Sequence, residues 1–267
     1  MGRGFAATLV LCCVVTAAAS CGRAADPSPS GAATEQLKVQ VLSTRPHDPT
    51  SFTEGLELDG GQQYESTGLA GHSVIRRSDA STGATQASVD LPPDLFGEGV
   101  TVVDDTLWQL TWRNGFAIRR DPQTLDDRGH VPFTGEGWGL CHQPGRLVMS
   151  NGTDTLTFRD PATFADTGSV QVRRQGRPLD MLNELECVDG AVWANIWQTD
   201  QIVRIDPTTG QVTATVDASG LLDRSRNPAA DVLNGIAAIP GTDRFLITGK
   251  LWPTTFEVRF VPGRDAP

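Results

Sequence analysis

Polar and aromatic side chains that could carry out acid–base chemistry recur at matching places along the 267-residue chain. Carboxyl groups can transfer protons, an amide N–H can stabilise negative charge that develops on an oxygen, and indole rings can exclude water from a pocket. Each of these residues, taken alone, is typical of an ordinary turn, cap or packing position. The prediction of a functional site therefore depends on their occurrence together at equivalent positions. The seven residues are Glu54, Glu98, Trp112, Trp138, Asn183, Trp197 and Lys250.

Several other kinds of site are not indicated. The four histidines show no metal-ligand spacing, and the sequence contains no Cys-x-x-Cys, no Gly-x-Ser-x-Gly nucleophile elbow and no P-loop. The formal net charge of −10 argues against nucleic-acid binding, which relies on clustered Lys and Arg. The chemistry must therefore come from carboxylates, amides and aromatic rings. The histidines are His47, His72, His130 and His142.

Five repeats position the seven residues. Each repeat opens with a Gly- or Asn-centred signal, at which four of the residues stand, and continues as short runs rich in Val, Ile, Thr, Leu and Trp. Trp112 and Trp197 end the second run of their repeats, and Lys250 stands at the corresponding place in the last repeat. Successive anchors are 44, 40, 45 and 51 residues apart, near the period of about 40 to 50 residues for a four-stranded propeller blade. The anchors are Gly55, Gly99, Gly139, Glu184 and Gly235.

The repeats predict an all-β fold, a five-bladed β-propeller over residues 37–264. The fifth repeat has room for about three strands, so residues 38–42 should add the missing strand beside residues 255–260. This closure of the ring would remove two sheet edges. An irregular β-sandwich is the alternative fold. Three Asp-Pro pairs predict turns, because Asp accepts backbone hydrogen bonds and Pro presets φ. The pairs are Asp121-Pro122, Asp160-Pro161 and Asp206-Pro207.

The N-terminal segment predicts export. Residues 1–21 combine Arg3 with an apolar stretch of signal-peptide length and end in Ala18-Ala19-Ser20-Cys21, which is similar to a lipoprotein box with lipidation at Cys21. Residues 22–36 are rich in Ala, Pro, Ser and Gly, as in a flexible linker. We expect a lipoprotein anchored on the outer face of the cytoplasmic membrane; simple secretion is the alternative.

Two cysteines, Cys141 and Cys187, remain outside the signal segment. They fall at matching points in the first strands of neighbouring repeats. An oxidising compartment would permit a disulfide between them, whereas two buried thiols are the other interpretation.

Eight segments, in order along residues 40 to 260, resemble the plant and bacterial type of glutaminyl-peptide cyclotransferase. The resemblance implies a five-bladed propeller that converts the N-terminal glutamine of a peptide into pyroglutamate. One departure is Glu54, where plant members carry Gln. The segments are Phe52-Thr53-Glu54-Gly55-Leu56, Glu65-Ser66-Thr67-Gly68-Leu69, Phe96-Gly97-Glu98-Gly99, Gly137-Trp138-Gly139-Leu140, Leu182-Asn183-Glu184-Leu185-Glu186, Trp193-Ala194-Asn195-Ile196-Trp197-Gln198-Thr199-Asp200, Val232-Leu233-Asn234-Gly235-Ile236 and Thr248-Gly249-Lys250-Leu251-Trp252-Pro253.

This reaction suits the candidate residues. The α-amine attacks the γ-carboxamide of the same glutamine and expels ammonia. We expect Glu98 to accept a proton from the amine and return it to the leaving nitrogen, with its pKa raised by burial beside tryptophans. Asn183 would donate a hydrogen bond to the carbonyl oxygen. Lys250 would orient Glu98 or meet a substrate carbonyl, and Glu54 would pair with the substrate's ammonium group.

Trp112, Trp138 and Trp197 would wall the pocket and bind the substrate. The scheme needs no cofactor. The expected partners are peptides with an N-terminal Gln, and a monomer is expected because a closed ring has no obvious edge to pair. One competing interpretation is a lipid-anchored propeller that binds a partner without catalysis. Another is a propeller hydrolase or lactonase, which would usually hold a metal in its channel.

Overall fold

A computed structural model describes residues 33–263, together with residues 1, 2 and 4. Nearly all of the predicted signal segment, including Cys21, and most of the predicted linker lie outside these residues. The described part contains strands and turns but no helix, and therefore no helix that could cross a membrane. The all-β prediction is confirmed.

Three separate antiparallel sheets of four strands come first, each formed by strands that follow one another along the chain. We call each a blade. Blade 1 comprises β2 (Thr53–Asp59), β3 (Gln62–Thr67), β4 (Val74–Asp79) and β5 (Thr85–Asp90). Blade 2 comprises β6 (Gly97–Val103), β7 (Thr106–Thr111), β8 (Phe116–Arg120) and β9 (Asp127–Pro132). Blade 3 comprises β10 (Leu140–Gln143), β11 (Arg146–Met149), β12 (Thr155–Arg159) and β13 (Asp166–Gln171).

An eight-stranded sheet holds two further sets of four. A small hairpin of β14 (Arg173–Arg174) and β15 (Arg177–Pro178) precedes it. Blade 4 comprises β16 (Leu182–Val188), β17 (Ala191–Ile196), β18 (Gln201–Ile205) and β19 (Val212–Asp217). Blade 5 comprises β20 (Leu233–Ala238), β21 (Arg244–Gly249), β22 (Thr254–Pro262) and, as its outer strand, β1 (Glu35–Pro46).

The first strand of each blade lies at the centre of the fold. These five inner strands contact one another in sequence, and β2 of blade 1 also contacts β20 of blade 5. Buried apolar side chains fill the spaces between neighbouring blades in five clusters. One cluster joins Leu56 and Leu58 of blade 1 to Ala237 and Leu246 of blade 5. These contacts support the five-bladed ring expected from the repeat spacing.

The N-terminal strand pairs as the sequence predicts. β1 runs antiparallel to β22, with Val39 opposite Phe260 and Val41 opposite Val258. It begins at Glu35, two residues before the expected start of the propeller. Its first residues also pair in parallel with β19 of blade 4, which the sequence did not predict. One strand therefore joins the last two blades.

The three Asp-Pro pairs lie in turns between third and fourth strands. In each turn the Asp carboxylate accepts hydrogen bonds from the backbone N–H groups two and three residues later, at 2.7–3.4 Å. Asp79 of blade 1 forms the same turn without a proline, with Ser81 and Thr82 as its donors. A hydrogen bond from the Ser81 hydroxyl, followed by those from the backbone N–H and hydroxyl of Thr82, lowers the pKa of Asp79 to about 2.

A disulfide joins Cys141 of β10 to Cys187 of β16. The structure thus resolves the two interpretations of these cysteines in favour of the bond. It cross-links the inner strands of blades 3 and 4 across a sequence separation of 46 residues.

Candidate active site

All seven candidate residues line one cavity of about 340 Å³ at one end of the ring. Glu54, Glu98 and Asn183 stand at the starts of inner strands, and Trp138 precedes β10. The inner strands run away from this end and the second strands return to it. Trp112, Trp197 and Lys250 come directly after second strands, so they return to the same opening. The structure therefore brings the seven residues together at one cavity.

A β-bulge lies at the start of four of the five inner strands, where the register with the second strand shifts. Glu54 lies between the paired residues Thr53 and Gly55, and Glu98 between Gly97 and Val100. A bulge re-aims side chains that regular pairing would turn to one face or the other. It thus explains how these carboxyls lie at the cavity.

The anchor glycines permit the inner strands to approach closely at the same level. A Cβ on Gly55 would lie 2.7 Å from Val100 N, and one on Gly99 would lie 2.5 Å from Leu140 N. A Cβ on Gly139 would lie 2.2 Å from Asn183 O. No side chain fits at such distances, so the repeated glycine is needed for the tight packing around the cavity floor.

Lys250 and Glu54 form a buried ion pair on the cavity floor. Lys250 Nζ lies 2.7 Å from both Oε1 and Oε2 of Glu54. Asn234 Nδ2 donates to Thr53 O at 2.9 Å and reaches Glu54 Oε2 at 3.4 Å. Both charged groups are buried, so each depends on the other for compensation of its desolvation.

This pairing was not among the contacts expected for the two residues. We expected Glu54 to pair with the substrate's ammonium group and Lys250 to orient Glu98 or meet a substrate carbonyl, and these roles toward the substrate stay predictions. In the structure Lys250 binds Glu54, and Glu54 is hydrogen-bonded to Glu98. The physical reason is that two opposite charges buried side by side attract each other strongly where water is excluded.

The Glu98 carboxyl is held in its protonated form. Burial raises the pKa of Glu98 well above the usual range of a glutamate, and the adjacent Glu54 charge raises it further. Burial also raises the pKa of Glu54, to about 7, although the Lys250 charge opposes that rise. The hydrogen bond between the two favours the proton on Glu98 and the negative charge on Glu54. The site therefore holds an ammonium, a carboxylate and a carboxylic acid in a row.

Two buried polar atoms of cavity residues have no hydrogen-bond partner within the described part of the chain. They are Glu98 Oε2 and Asn183 Oδ1. Buried polar atoms are normally hydrogen-bonded, and leaving one without a partner costs about 1–3 kcal/mol. These two atoms therefore mark places where a polar substrate could bind.

Aromatic rings form the walls. Trp138 and Trp197 meet edge to face, with centroids 5.5 Å apart and planes at 84°. Phe96 packs against Trp112 at 5.4 Å, and Lys250 Nζ lies 4.6 Å from the centroid of the Phe52 ring. Sequence reasoning missed Phe52 and Phe96, although each stands two residues before a candidate glutamate and so shares a repeat position.

Four further residues at the cavity were not predicted from the sequence. They lie in loops whose lengths differ between repeats, so the repeat pattern gives no signal for them. Asp231 and Val232 end the long loop between β19 and β20, which accounts for the interval of 51 residues. The four are Leu69, Gln198, Asp231 and Val232.

A metal centre is not among the features of the described residues: they contain no group of three or more His, Cys, Asp or Glu side chains arranged to hold an ion. The polar groups at the cavity include one ammonium, three carboxyls and two side-chain amides. Such a set can bind an amide-bearing substrate and move protons between its nitrogen atoms.

Comparison with known proteins identifies relatives over most of the chain. The sequence model of the family described as glutamine cyclotransferase matches residues 9–260. A glutaminyl-peptide cyclotransferase of Arabidopsis thaliana is 37% identical over 230 residues, which cover 83% of this chain and 71% of the relative. The crystal structure of a glutaminyl cyclase from Myxococcus xanthus superposes with a TM-score of 0.79 at 36% identity, covering 86% of this chain and 99% of that one.

Proposed function

Because the chain belongs to the glutamine cyclotransferase family, we propose a mechanism by which its cavity cyclises an N-terminal glutamine. The protein is a glutaminyl-peptide cyclotransferase. Its substrates are peptides that begin with Gln, and its products are the pyroglutamyl peptide and ammonia. Neither the non-catalytic binding module nor the hydrolase accounts for this family membership.

The first requirement is a folded substrate conformer. The attack is intramolecular, and well-oriented reactions of this kind reach effective molarities on the order of 10⁵ M or more. The aromatic walls, formed chiefly by Trp112, Trp138 and Trp197, hold the glutamine side chain curled toward its own amine and keep water out. Exclusion of water favours ring closure over hydrolysis of the carboxamide.

Proton transfer is the second requirement. The α-amine must be neutral to attack, and its free pKa is about 7.7–8. As its nitrogen bonds to the carboxamide carbon, Glu98 Oε2 accepts a proton from it. At the same time the other Glu98 oxygen passes its own proton to Glu54, whose charge Lys250 has held in place. Reversal of both steps delivers a proton from Oε2 to the leaving nitrogen, so ammonia departs and the carboxyls return to their starting state.

Asn183 supports the tetrahedral intermediate. Its amide N–H donates to the carboxamide oxygen as negative charge develops there, and one such donor is typically worth about 3 kcal/mol. Its Oδ1, which has no partner among the described residues, accepts from the substrate's nitrogen. The observation that carries the mechanism is the unpartnered, buried Glu98 oxygen at a cavity that also holds the Glu54–Lys250 pair.

Replacement of Glu98 tests the mechanism. E98Q keeps the shape of the side chain but cannot relay a proton, so kcat for ammonia release from a Gln-initiated dipeptide should fall on the order of 10² to 10⁴-fold. E186Q is the matched control: Glu186 is also a buried glutamate on an inner strand, but it does not line the cavity. It should keep normal kcat. A folded E98Q protein with near-normal kcat would refute the role of Glu98.

We also propose that the enzyme works outside the cytoplasm, as a lipoprotein attached through Cys21 or, failing that, as a secreted protein. The signal-like composition of residues 1–21 supports export. A disulfide between Cys141 and Cys187 is consistent with an oxidising compartment. The monomer expected from the sequence remains part of this proposal. The chemical identity of the mature N-terminal residue would distinguish lipidation from simple secretion.

A further inference from the structure

A carboxylate behind the cavity wall binds two of the wall's tryptophans at once. Glu136 lies between β9 and β10, two residues before Trp138. Its Oε2 accepts the indole N–H of Trp112 at 2.9 Å and that of Trp138 at 3.0 Å. Its Oε1 accepts from Arg113 Nε at 2.7 Å. Every bond to this carboxylate comes from the cavity wall or from the residue next to it.

Arg113 completes the arrangement. Its guanidinium lies over the ring of Trp112, 3.8 Å from the centroid, while Phe96 packs against that ring at 5.4 Å. The Trp112 ring is thus held by an arginine, a phenylalanine and a hydrogen bond at its edge. Hydrogen bonds to a charged acceptor are stronger than those between neutral groups. The Glu136–Arg113 pair therefore fixes the ring more firmly than packing alone would.

Glu136 Oε2 links two blades through its hydrogen bonds to the two indoles. Trp112 follows the second strand of blade 2, and Trp138 precedes the first strand of blade 3. Two indole N–H groups that point at one oxygen must bring their ring edges together, which sets the angle between the rings. Trp138 in turn meets Trp197 of blade 4 edge to face. A displaced Glu136 would therefore disturb a wall built from three blades.

We propose that Glu136 is a positioning residue for glutamine binding, which holds Trp112 and Trp138 at the angle that fits the curled substrate. This inference rests on the proposed function, because it assigns Glu136 to the cavity in which glutamine cyclises. Glu136 does not line that cavity and acts through the two indoles. Its loss should weaken substrate binding more than it slows the chemical step.

Glu136 also acts on Glu98 through its charge. The charged groups at the cavity besides Glu98 are Glu54, Lys250 and Asp231, and Glu136 lies behind the two indoles. Burial and the Glu54 charge raise the pKa of Glu98 most, and the Lys250 charge lowers it. The negative charge of Glu136 raises it further, by a smaller amount. Removal of that charge should make Glu98 ionise at lower pH. Position 136 therefore has two separable effects, one through its hydrogen bonds and one through its charge.

Two substitutions separate these effects. E136A removes both the acceptor and the charge, so KM for a Gln-initiated dipeptide should rise about tenfold or more, with a smaller change in kcat. E136Q removes the charge but keeps an oxygen that can accept from the indoles. Its KM should therefore lie much closer to the wild-type value than the KM of E136A does. In both variants the pH at which kcat falls on the alkaline side should move down. D243A is the matched control. Asp243 accepts a hydrogen bond from Arg259 Nε at 2.8 Å, and neither residue lines the cavity.

A measurement independent of turnover uses the six tryptophans. In a nitrogen-15 spectrum, E136A should shift two of the six indole N–H resonances strongly, whereas E136Q and D243A should leave them near their wild-type positions. If E136A keeps KM within twofold and shifts no indole resonance, the positioning role is overturned. If the wild-type protein releases no ammonia from Gln-peptides, the proposed function fails instead, whatever the spectra show.

Discussion

At the scale of single residues, the row Lys250–Glu54–Glu98 decides where protons reside. Burial and the charge of the adjacent Glu54 both raise the pKa of Glu98, since two adjacent carboxyls resist double ionisation. The Lys250 charge opposes the rise that burial causes in the pKa of Glu54. An acid whose pKa lies well above the usual range can relay a proton between two nitrogens, which an ordinary surface glutamate could not do.

The substitution E54Q, which introduces the residue of plant members, should lower kcat, because Gln cannot take up the proton that Glu98 passes on, and should also change the pH dependence of kcat. The protonated form of Glu98 is the active one, so activity is lost as the pH rises through the Glu98 pKa. Removal of the Glu54 charge lowers that pKa, because a neighbouring negative charge had raised it. The alkaline fall of kcat should therefore begin at lower pH than in the wild type.

The profile of kcat against pH at saturating Gln-dipeptide measures this shift. E57Q is a suitable control: Glu57 is half-buried on the same strand, three residues along, but does not line the cavity. Its profile should match that of the wild type. An unchanged or upward-shifted alkaline limb in E54Q would show that Glu54 does not set the protonation of Glu98.

The seven site residues could be predicted because each occupies a repeat position. Their pairings could not, because several neighbours were within reach of each and only packing selects among them. Lys250 had Glu98 and a substrate carbonyl as candidate partners, whereas the structure pairs it with Glu54. The role of Glu136 could not be predicted, because a glutamate between two glycines has the sequence pattern of an ordinary turn.

At the scale of elements, turns and bulges place the walls. Gly152 in the loop between β11 and β12 has φ +79°, and a Cβ there would lie 2.6 Å from the Trp138 ring. Gly145 in the turn between β10 and β11 has φ +82°, with nothing within 4 Å of a Cβ. The two positions share a backbone conformation and differ in what surrounds them.

G152A and G145A therefore form a matched pair. Each should lose about 1–2 kcal/mol of stability, because an L-residue resists a left-handed backbone. Only G152A should also displace Trp138 and raise KM for a Gln-dipeptide. Urea unfolding measures the loss of stability expected in both variants, and steady-state kinetics measure the rise in KM expected only in G152A. Equal KM values in the two variants would mean that Trp138 has no part in substrate binding.

Strand order and turns followed from the repeats, because Asp-Pro and glycine signals are local. The bulges did not, since a register shift leaves no mark on composition. The parallel pairing of β1 with β19 was missed for another reason: it joins residues about 180 positions apart, and no local pattern reports such a contact. The sequence also left the disulfide open, because spacing alone cannot show that Cys141 faces Cys187.

At the scale of the whole molecule, the ring buries several carboxylic acids. Burial raises the pKa of Glu57 and Glu184 well above the usual range and that of Glu186 to about 7. Backbone N–H groups donate to Glu184 and Glu186, and Thr101 donates to Glu57. These groups are neutral in the folded protein at mildly acidic pH and ionise more readily once unfolded.

Stability should therefore fall as the pH rises from 5 to 8. A carboxyl whose pKa is raised on folding binds its proton more tightly when folded, so its stabilising effect is present near pH 4.5 and declines up to the folded pKa. The His47 pKa is also raised and acts in the same direction. Each group can contribute at most about 1.4 kcal/mol per pH unit.

E186Q isolates one of these groups. The amide cannot ionise, so the variant should match the wild type near pH 4.5 and exceed it in free energy of unfolding at pH 8. Urea denaturation at four pH values between 5 and 8 measures the slope. A wild-type stability that stays level or increases over this range would contradict the prediction, as would an E186Q slope equal to that of the wild type.

The two ends of the described chain meet on one blade. Gly263 N donates to Gln36 O at 2.8 Å, beside the strand that pairs with both β22 and β19. A short peptide could therefore join them without disturbing a strand pairing, and the chain could be reopened at an exposed turn such as residues 81–83. Circular permutants of this enzyme should fold, with the attachment point of any anchor moved to another side of the molecule.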